Sequence, residues 1–138
     1  MVTHEMSFAR KVSDRVIFTG RVAYEEAPQH IALGEIAVAP KLSLTESAGK
    51  LLNYMAMAQP IVAYDTPVNR EYLDDLGVYA PAGDVAAFTE AILALAGDPA
   101  RRRLLGRELR RRAQEQFSWA AATDRILGLY QHLTKQDS

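Results

Sequence analysis

Short apolar runs bounded by turn residues alternate along this chain with stretches in which apolar side chains recur at helical spacing. Met1 to Asp14 is a polar lead-in of helical character, with Phe8, Ala9 and Val12 as a small apolar stripe. Arg15-Val16-Ile17-Phe18-Thr19-Gly20 predicts a strand ending at glycine, where a sharp turn into a helix is easiest. Glu25-Glu26 ahead of Ala27-Pro28 marks a helix start, and Leu33-Gly34 marks its end. Glu35-Ile36-Ala37-Val38-Ala39 predicts a second strand that Pro40 closes. Leu51, Leu52, Met55 and Ala58 then follow one another on one helical face, and Pro60 stops that helix. Ile61-Val62-Ala63-Tyr64 has no polar alternation, as expected of a parallel strand covered on both faces.

The second half continues the alternation. Asp65-Thr66-Pro67 is a turn, Val68 to Leu76 a short helix, and Gly77-Val78-Tyr79-Ala80 a fourth strand. Asp84 is an N-cap for a helix through Ala96 that buries Phe88, Ile92 and Leu95. Gly97-Asp98-Pro99 breaks it and opens a helix rich in arginine, with Leu105, Leu109 and Ala113 on its buried side. Ser118 caps a last helix whose expected buried stripe is Ala122, Ile126, Leu129 and Leu133. Trp119, at its start, reads as a packing anchor. The whole predicts an α/β fold: a Rossmann-like parallel sheet of about four strands with helices on both faces. Residues 1–138 are read as a single domain, its closing helices over about residues 99–135.

Composition changes this picture little. The chain is 49% hydrophobic and 24% charged with a net charge of −1, which disfavours a surface shaped for nucleic acid. It has no cysteine, so disulfides and thiolate metal sites are excluded. No run is long and apolar enough to cross a bilayer and no signal peptide is apparent, so a cytoplasmic location is the expectation. His4, His30 and His132 are scattered with no carboxylate at ligand spacing, and no metal or other cofactor is expected.

The chemistry concentrates before Leu51. Ser47-Ala48-Gly49 are small residues at a turn, where backbone N–H groups can approach an anion and the helix dipole favours it. Lys50 adds a cation where the dipole opposes one. Two readings stand: a negative ligand sits there, or Lys50 snorkels to solvent. The arginine helix carries Arg101, Arg102, Arg103, Arg107, Arg110, Arg111 and Arg112, read as a solvated face, with an anionic membrane surface as the other candidate partner. On that second reading the protein lies peripherally on the inner face of the membrane. Asp74-Asp75 are helix neighbours that do not face one another and are read as capping or solvating the turn before Gly77.

These residues resemble a family. Val16 to Val22, then Glu25-Glu26-Ala27-Pro28, then Ile36 to Pro40 resemble the C-terminal domain of GT-B glycosyltransferases, more narrowly glycosyltransferase family 4. Asn53 to Asp65 resembles that family's EAMACGKPVVATD segment, and Arg103-Leu104-Leu105-Gly106, Gln116-Phe117-Ser118-Trp119 and Leu129-Tyr130 resemble its closing helices. The likeness runs from Arg15 to about Leu133. It implies a retaining enzyme whose lobe binds a nucleotide-sugar donor at the carboxyl ends of the strands. On that implication Gly20, Arg21 and Val22 line the nucleobase. Thr45, Ser47, Ala48, Gly49 and Lys50 meet sugar and diphosphate, and Asn53 meets the ribose. Glu46 and Lys50 are the residues nearest the chemistry, and Glu71 lies in a turn near the donor.

The chain departs from the family at particular positions. Counting back from Pro60, the family's two glutamates fall on Asn53 and Thr45, and a one-residue gap returns Glu46 to the first of them. Asn53 can accept from a ribose hydroxyl, but without charge. Ala58-Gln59 stands where the family has a small residue followed by glycine. The glycine-rich donor-side units and the N-terminal acceptor-binding domain of the family find no counterpart in these residues, so the chain is expected to be inactive alone. An uncovered sheet edge is expected to pair in a homodimer. The rival reading is a non-catalytic, degenerate Rossmann-like interaction module, and a response-regulator-like fold is disfavoured because only Asp65 stands at a strand end.

Overall fold

A computed structural model describes residues 17–46 and 49–136. Three parallel strands, β1 (Ala37–Ala39), β2 (Ile61–Tyr64) and β3 (Val78–Ala80), form a sheet in the order β1-β2-β3. Ala37 pairs with Ile61 and Ala39 with Ala63, while Val62 pairs with Val78 and Tyr64 with Ala80. A 3-10 turn (Tyr24–Glu26) and α1 (Ala27–Ala32) precede β1. Helix α2 (Gly49–Ala56) joins β1 to β2, and α3 (Pro67–Leu73) with a 3-10 turn (Asp74–Leu76) joins β2 to β3. Helices α4 (Val85–Ala96), α5 (Pro99–Gln116) and α6 (Trp119–Gln136) close the chain.

All four residues of β2 are buried, which explains its unbroken apolar run. Its period of two divides the core. Ile61 and Ala63 join Ala37 and Ala39 beneath Leu51 and Met55 of α2, Leu73 of α3, and Leu109 and Ala113 of α5. Val62 and Tyr64 face the other way, with Ala80, onto Phe88 and Leu95 of α4. Helices therefore cover both faces.

Local chemistry sets the helix starts. The Thr66 hydroxyl accepts from the Asn69 amide at 3.2 Å, Asp84 from Ala87 at 2.9 Å and Asp98 from Arg101 at 2.9 Å. The Ser118 hydroxyl accepts from the Ala121 amide at 3.2 Å. Each cap satisfies a donor that the helix cannot pair internally.

The end of α2 is held more tightly than its sequence suggests. The Gln59 amide donates to the Tyr54 carbonyl at 2.9 Å and Ala58 to Met55 at 3.0 Å, a reversal that forces Ala58 to φ +56°. An alanine there costs about 1–2 kcal/mol that glycine would not. Gly106 of α5 lies directly against this turn, since a Cβ added to it would sit 2.0 Å from the Ala58 carbonyl oxygen. The buried Gln59 side chain donates to the carbonyls of Ile31 and Gly34, at 3.1 and 2.6 Å. One turn thus ties α1, α2 and α5 to the start of β2.

Several expectations are corrected. Residues 17–20 are not a strand: Ile17 and Phe18 are 66% and 57% exposed, and no neighbouring strand pairs with them among the described residues. The described sheet has three strands, and apolar character without a partner edge does not make a fourth. The stripe expected to be buried on α6 is open, with Ile126 55%, Leu129 60% and Leu133 51% exposed and Ala122 half-buried. Trp119 is not a packing anchor, being 89% exposed. Helical periodicity reports that a face is apolar, not that something covers it. Leu105 turns toward the α4 side of the sheet and is half-buried, leaving Gly106, Leu109 and Ala113 as the buried face of α5. Nor are all the arginines solvated. Arg102 donates to the Leu95 carbonyl at 3.0 Å and to that of Ala96, and Arg112 donates to Tyr72 at 2.8 Å, each tying α5 to the body. The predicted helix from Val68 to Leu76 ends at Leu73, where Asp74 adopts φ +51°. The lead-in Met1 to Asp14, with Arg15, Val16, Ser47 and Ala48, lies outside the described residues.

Candidate functional site

Because the strands are parallel, the loops that follow them gather at one edge of the sheet, the place where open α/β sheets offer a crevice. Residues 40–46 leave β1 there, and α2 begins at Gly49. Leu51 and Met55 are drawn into the core, which turns the remaining positions outward. Gly49 and Lys50 are exposed in the first turn, and Asn53 is exposed one turn later, three residues on and so on the same face as Lys50. Lys50 makes no ion pair among the described residues. A free ammonium and the amide end of a helix therefore stand together at the carboxyl edge.

Thr45 is exposed in the bend just before α2. The Glu46 carboxylate meets the Lys41 ammonium at 2.8 Å, and the Glu46 amide donates to the Ser43 hydroxyl at 3.2 Å. The hydrogen bond from Lys41 holds the Glu46 carboxyl below the usual carboxylate range. Lys41 was not singled out in the sequence, although its place just after β1 and Pro40 was a signal that it stands at this edge.

Gly20 adopts φ +68°, a left-handed turn that suits glycine, with Arg21 exposed and Val22 half-buried beside it. Among the described residues no hydrogen bond or ion pair joins this turn to α2. The structure brings Glu46 to Lys41 and sets Lys50 and Asn53 on one face, and it leaves Gly20, Arg21 and Val22 as a separate element.

The loop after β2 has a different character. The Arg70 guanidinium makes two bonds to the Asp65 carboxylate, at 2.7 and 2.8 Å, and lies 3.8 Å from the centroid of the Tyr79 ring. The fork lowers the Asp65 pKa and raises that of Arg70. Burial pushes the Tyr79 hydroxyl up to about 12, and it donates to the Asp74 carbonyl at 2.6 Å. Beneath the fork, the buried Asn69 amide donates to the Tyr64 carbonyl at 2.8 Å. Glu71 is exposed on α3, and its carbonyl accepts from Arg112 at 3.1 Å. The spacing of Asp65 and Arg70 across an N-capped turn was the available sequence signal for this closed arrangement.

Comparison with known proteins bears on the family and the fold. The family model for glycosyl transferases group 1 matches residues 3–98. An alpha-D-kanosaminyltransferase of Streptomyces kanamyceticus is 30% identical over 128 residues, 91% of this chain and 33% of that protein. The sucrose-phosphate synthase of Thermosynechococcus elongatus superposes with a TM-score of 0.80 at 24% identity, over 98% of this chain and 34% of its own. The chain thus spans about a third of the length of the relatives it matches. The second likeness supports a GT-B, Rossmann-like fold, and the match over residues 3–98 makes the chain a member of the group 1 glycosyltransferases.

Proposed function

We propose that this chain is the donor-binding portion of a retaining glycosyltransferase, holding a nucleotide-sugar at the carboxyl edge of its sheet. The single observation that carries the reading is the exposed Lys50 in the first turn of α2, without an ion-pair partner among the described residues. A cation against the helix dipole is unfavourable by about 0.3–1 kcal/mol when nothing negative sits beside it. A bound diphosphate reverses that sign, since both the ammonium and the amide N–H groups then face an anion. In transfer the same groups stabilise the charge that grows on the leaving nucleoside diphosphate.

In this reading Asn53 accepts from the ribose hydroxyls. Thr45, Ser47, Ala48 and Gly49 line the sugar and diphosphate, and Gly20, Arg21 and Val22 border the nucleobase. Glu46 faces the donor sugar, and its ion pair with Lys41 lowers its pKa. The chain spans about a third of the length of the relatives it matches, and donor binding is the share of the reaction that this reading assigns to it. The rival reading, a non-catalytic interaction module, draws support from Asn53 standing where the family has an acid.

Heat stabilisation by UDP or GDP separates the two. A rise in melting temperature that disappears in Lys50→Ala and Asn53→Ala supports a nucleotide site. No rise at millimolar nucleotide favours the module.

A further inference from the structure

Between Glu35 and Asp65 the chain carries only three charged side chains, Lys41, Glu46 and Lys50. The single carboxylate therefore stands between two ammonium groups and can pair with either. Local sequence favours Lys50. Glu46 precedes it by four residues, the spacing and direction in which a glutamate supports a lysine on a helix. A carboxylate ahead of α2 would also gain from the helix dipole.

The structure makes the other choice. The Glu46 carboxylate meets Lys41 at 2.8 Å, and among the described residues it makes no ion pair with Lys50. The Glu46 amide is held as well, donating to the Ser43 hydroxyl at 3.2 Å. Both bonds reach back toward β1, so the acid is fixed from the side of the loop away from α2. The choice matters because a carboxylate seated on Lys50 takes the place that an incoming anion needs, and a diphosphate would have to displace it.

We infer that Lys41 is a positioning residue: it holds Glu46 off Lys50 and so keeps the start of α2 available to the diphosphate of a donor. The inference rests on the donor-binding reading and deepens it, by naming what prevents the chain's own acid from competing with the ligand. Lys41 acts through Glu46 and needs no contact with the nucleotide.

Carbon-13 titration of the Glu46 carboxyl tests this without any ligand. Lys41 holds that carboxyl below the usual value in the parent. In Lys41→Met the acid should transfer to Lys50, so that its pKa stays low and rises to the ordinary glutamate range only in Lys41→Met/Lys50→Met. A return to that range in Lys41→Met alone overturns the inference. Calorimetry of UDP or GDP gives the second reading. Lys41→Met should weaken binding about twofold to fivefold, the scale of an exposed ion pair formed by a competitor. Adding Glu46→Gln should recover most of that loss, and should gain less when Lys41 is in place. A loss that Glu46→Gln does not relieve overturns the inference, since Lys41 would then meet the phosphate itself. A parent that binds neither nucleotide contradicts the donor-binding reading, while the carboxyl titration still decides which lysine Glu46 takes.

Discussion

The loops after β1 and after β2 leave the same edge of the same sheet, yet they resolve their polar groups in opposite ways. After β2, the Asp65 carboxylate and the Arg70 guanidinium satisfy each other, Tyr79 lies against the fork, and Asn69 spends its amide on the Tyr64 carbonyl. After β1, Thr45, Gly49, Lys50 and Asn53 are exposed, and only Glu46 is held, by Lys41. The first loop is scaffold and the second has capacity left for a ligand. Polar groups without protein partners at a crevice are where binding energy can be gained, because nothing must first be broken.

If the closed region is scaffold, injuring it should cost stability whether or not nucleotide is present. The largest effect belongs to Gly106→Ala. Its new methyl meets backbone at the Ala58 turn, which cannot rotate away, and urea unfolding should lose about 2–3 kcal/mol. A neutral result would mean that α5 is not seated on the end of α2 as described. Asn69→Ala comes next, leaving the Tyr64 carbonyl short of a donor at a cost of about 1–3 kcal/mol in the same assay. Ala58→Gly works in the other direction, raising stability by about 1 kcal/mol as the left-handed strain is relieved.

The smallest effect is in acid, and it bears on both loops. Asp65 and Glu46 have pKa values lowered by Arg70 and Lys41. Their stabilisation is therefore present above the unfolded-state values near about 4 and is lost as pH falls through the lower folded-state values. Melting temperature followed below pH 5 should decline less steeply in Asp65→Asn and in Glu46→Gln than in the parent. Equal slopes would show that neither ion pair persists in solution.

Much of the scaffold was legible in the sequence, and for local reasons. Ile61 to Tyr64 was readable as a buried strand because both faces are covered, and Asp84 and Ser118 were readable as caps because capping is settled within a few residues. The errors fall where a distant partner decides. Residues 17–20 carry a strand-like sequence but find no edge, and α6 carries a core-like stripe with nothing described above it. The left-handed turn at Ala58 was hidden because alanine does not advertise it. Gly106, far along the chain, leaves the room that the turn needs. At the candidate site, the helix start and the face shared by Lys50 and Asn53 followed from spacing. The Lys41–Glu46 pair and the Asp65–Arg70 fork depend on loop geometry that spacing does not report.

The contrast between the two loops comes down to one titration. Calorimetry of UDP or GDP against the parent chain, Lys50→Ala and Arg70→Lys compares the open cation with the engaged one directly. The account predicts that Lys50→Ala weakens binding at least about tenfold, the loss of one charge-assisted contact, while Arg70→Lys stays within about twofold. A parent that binds neither nucleotide at millimolar concentration would contradict it, and so would equal losses in the two variants.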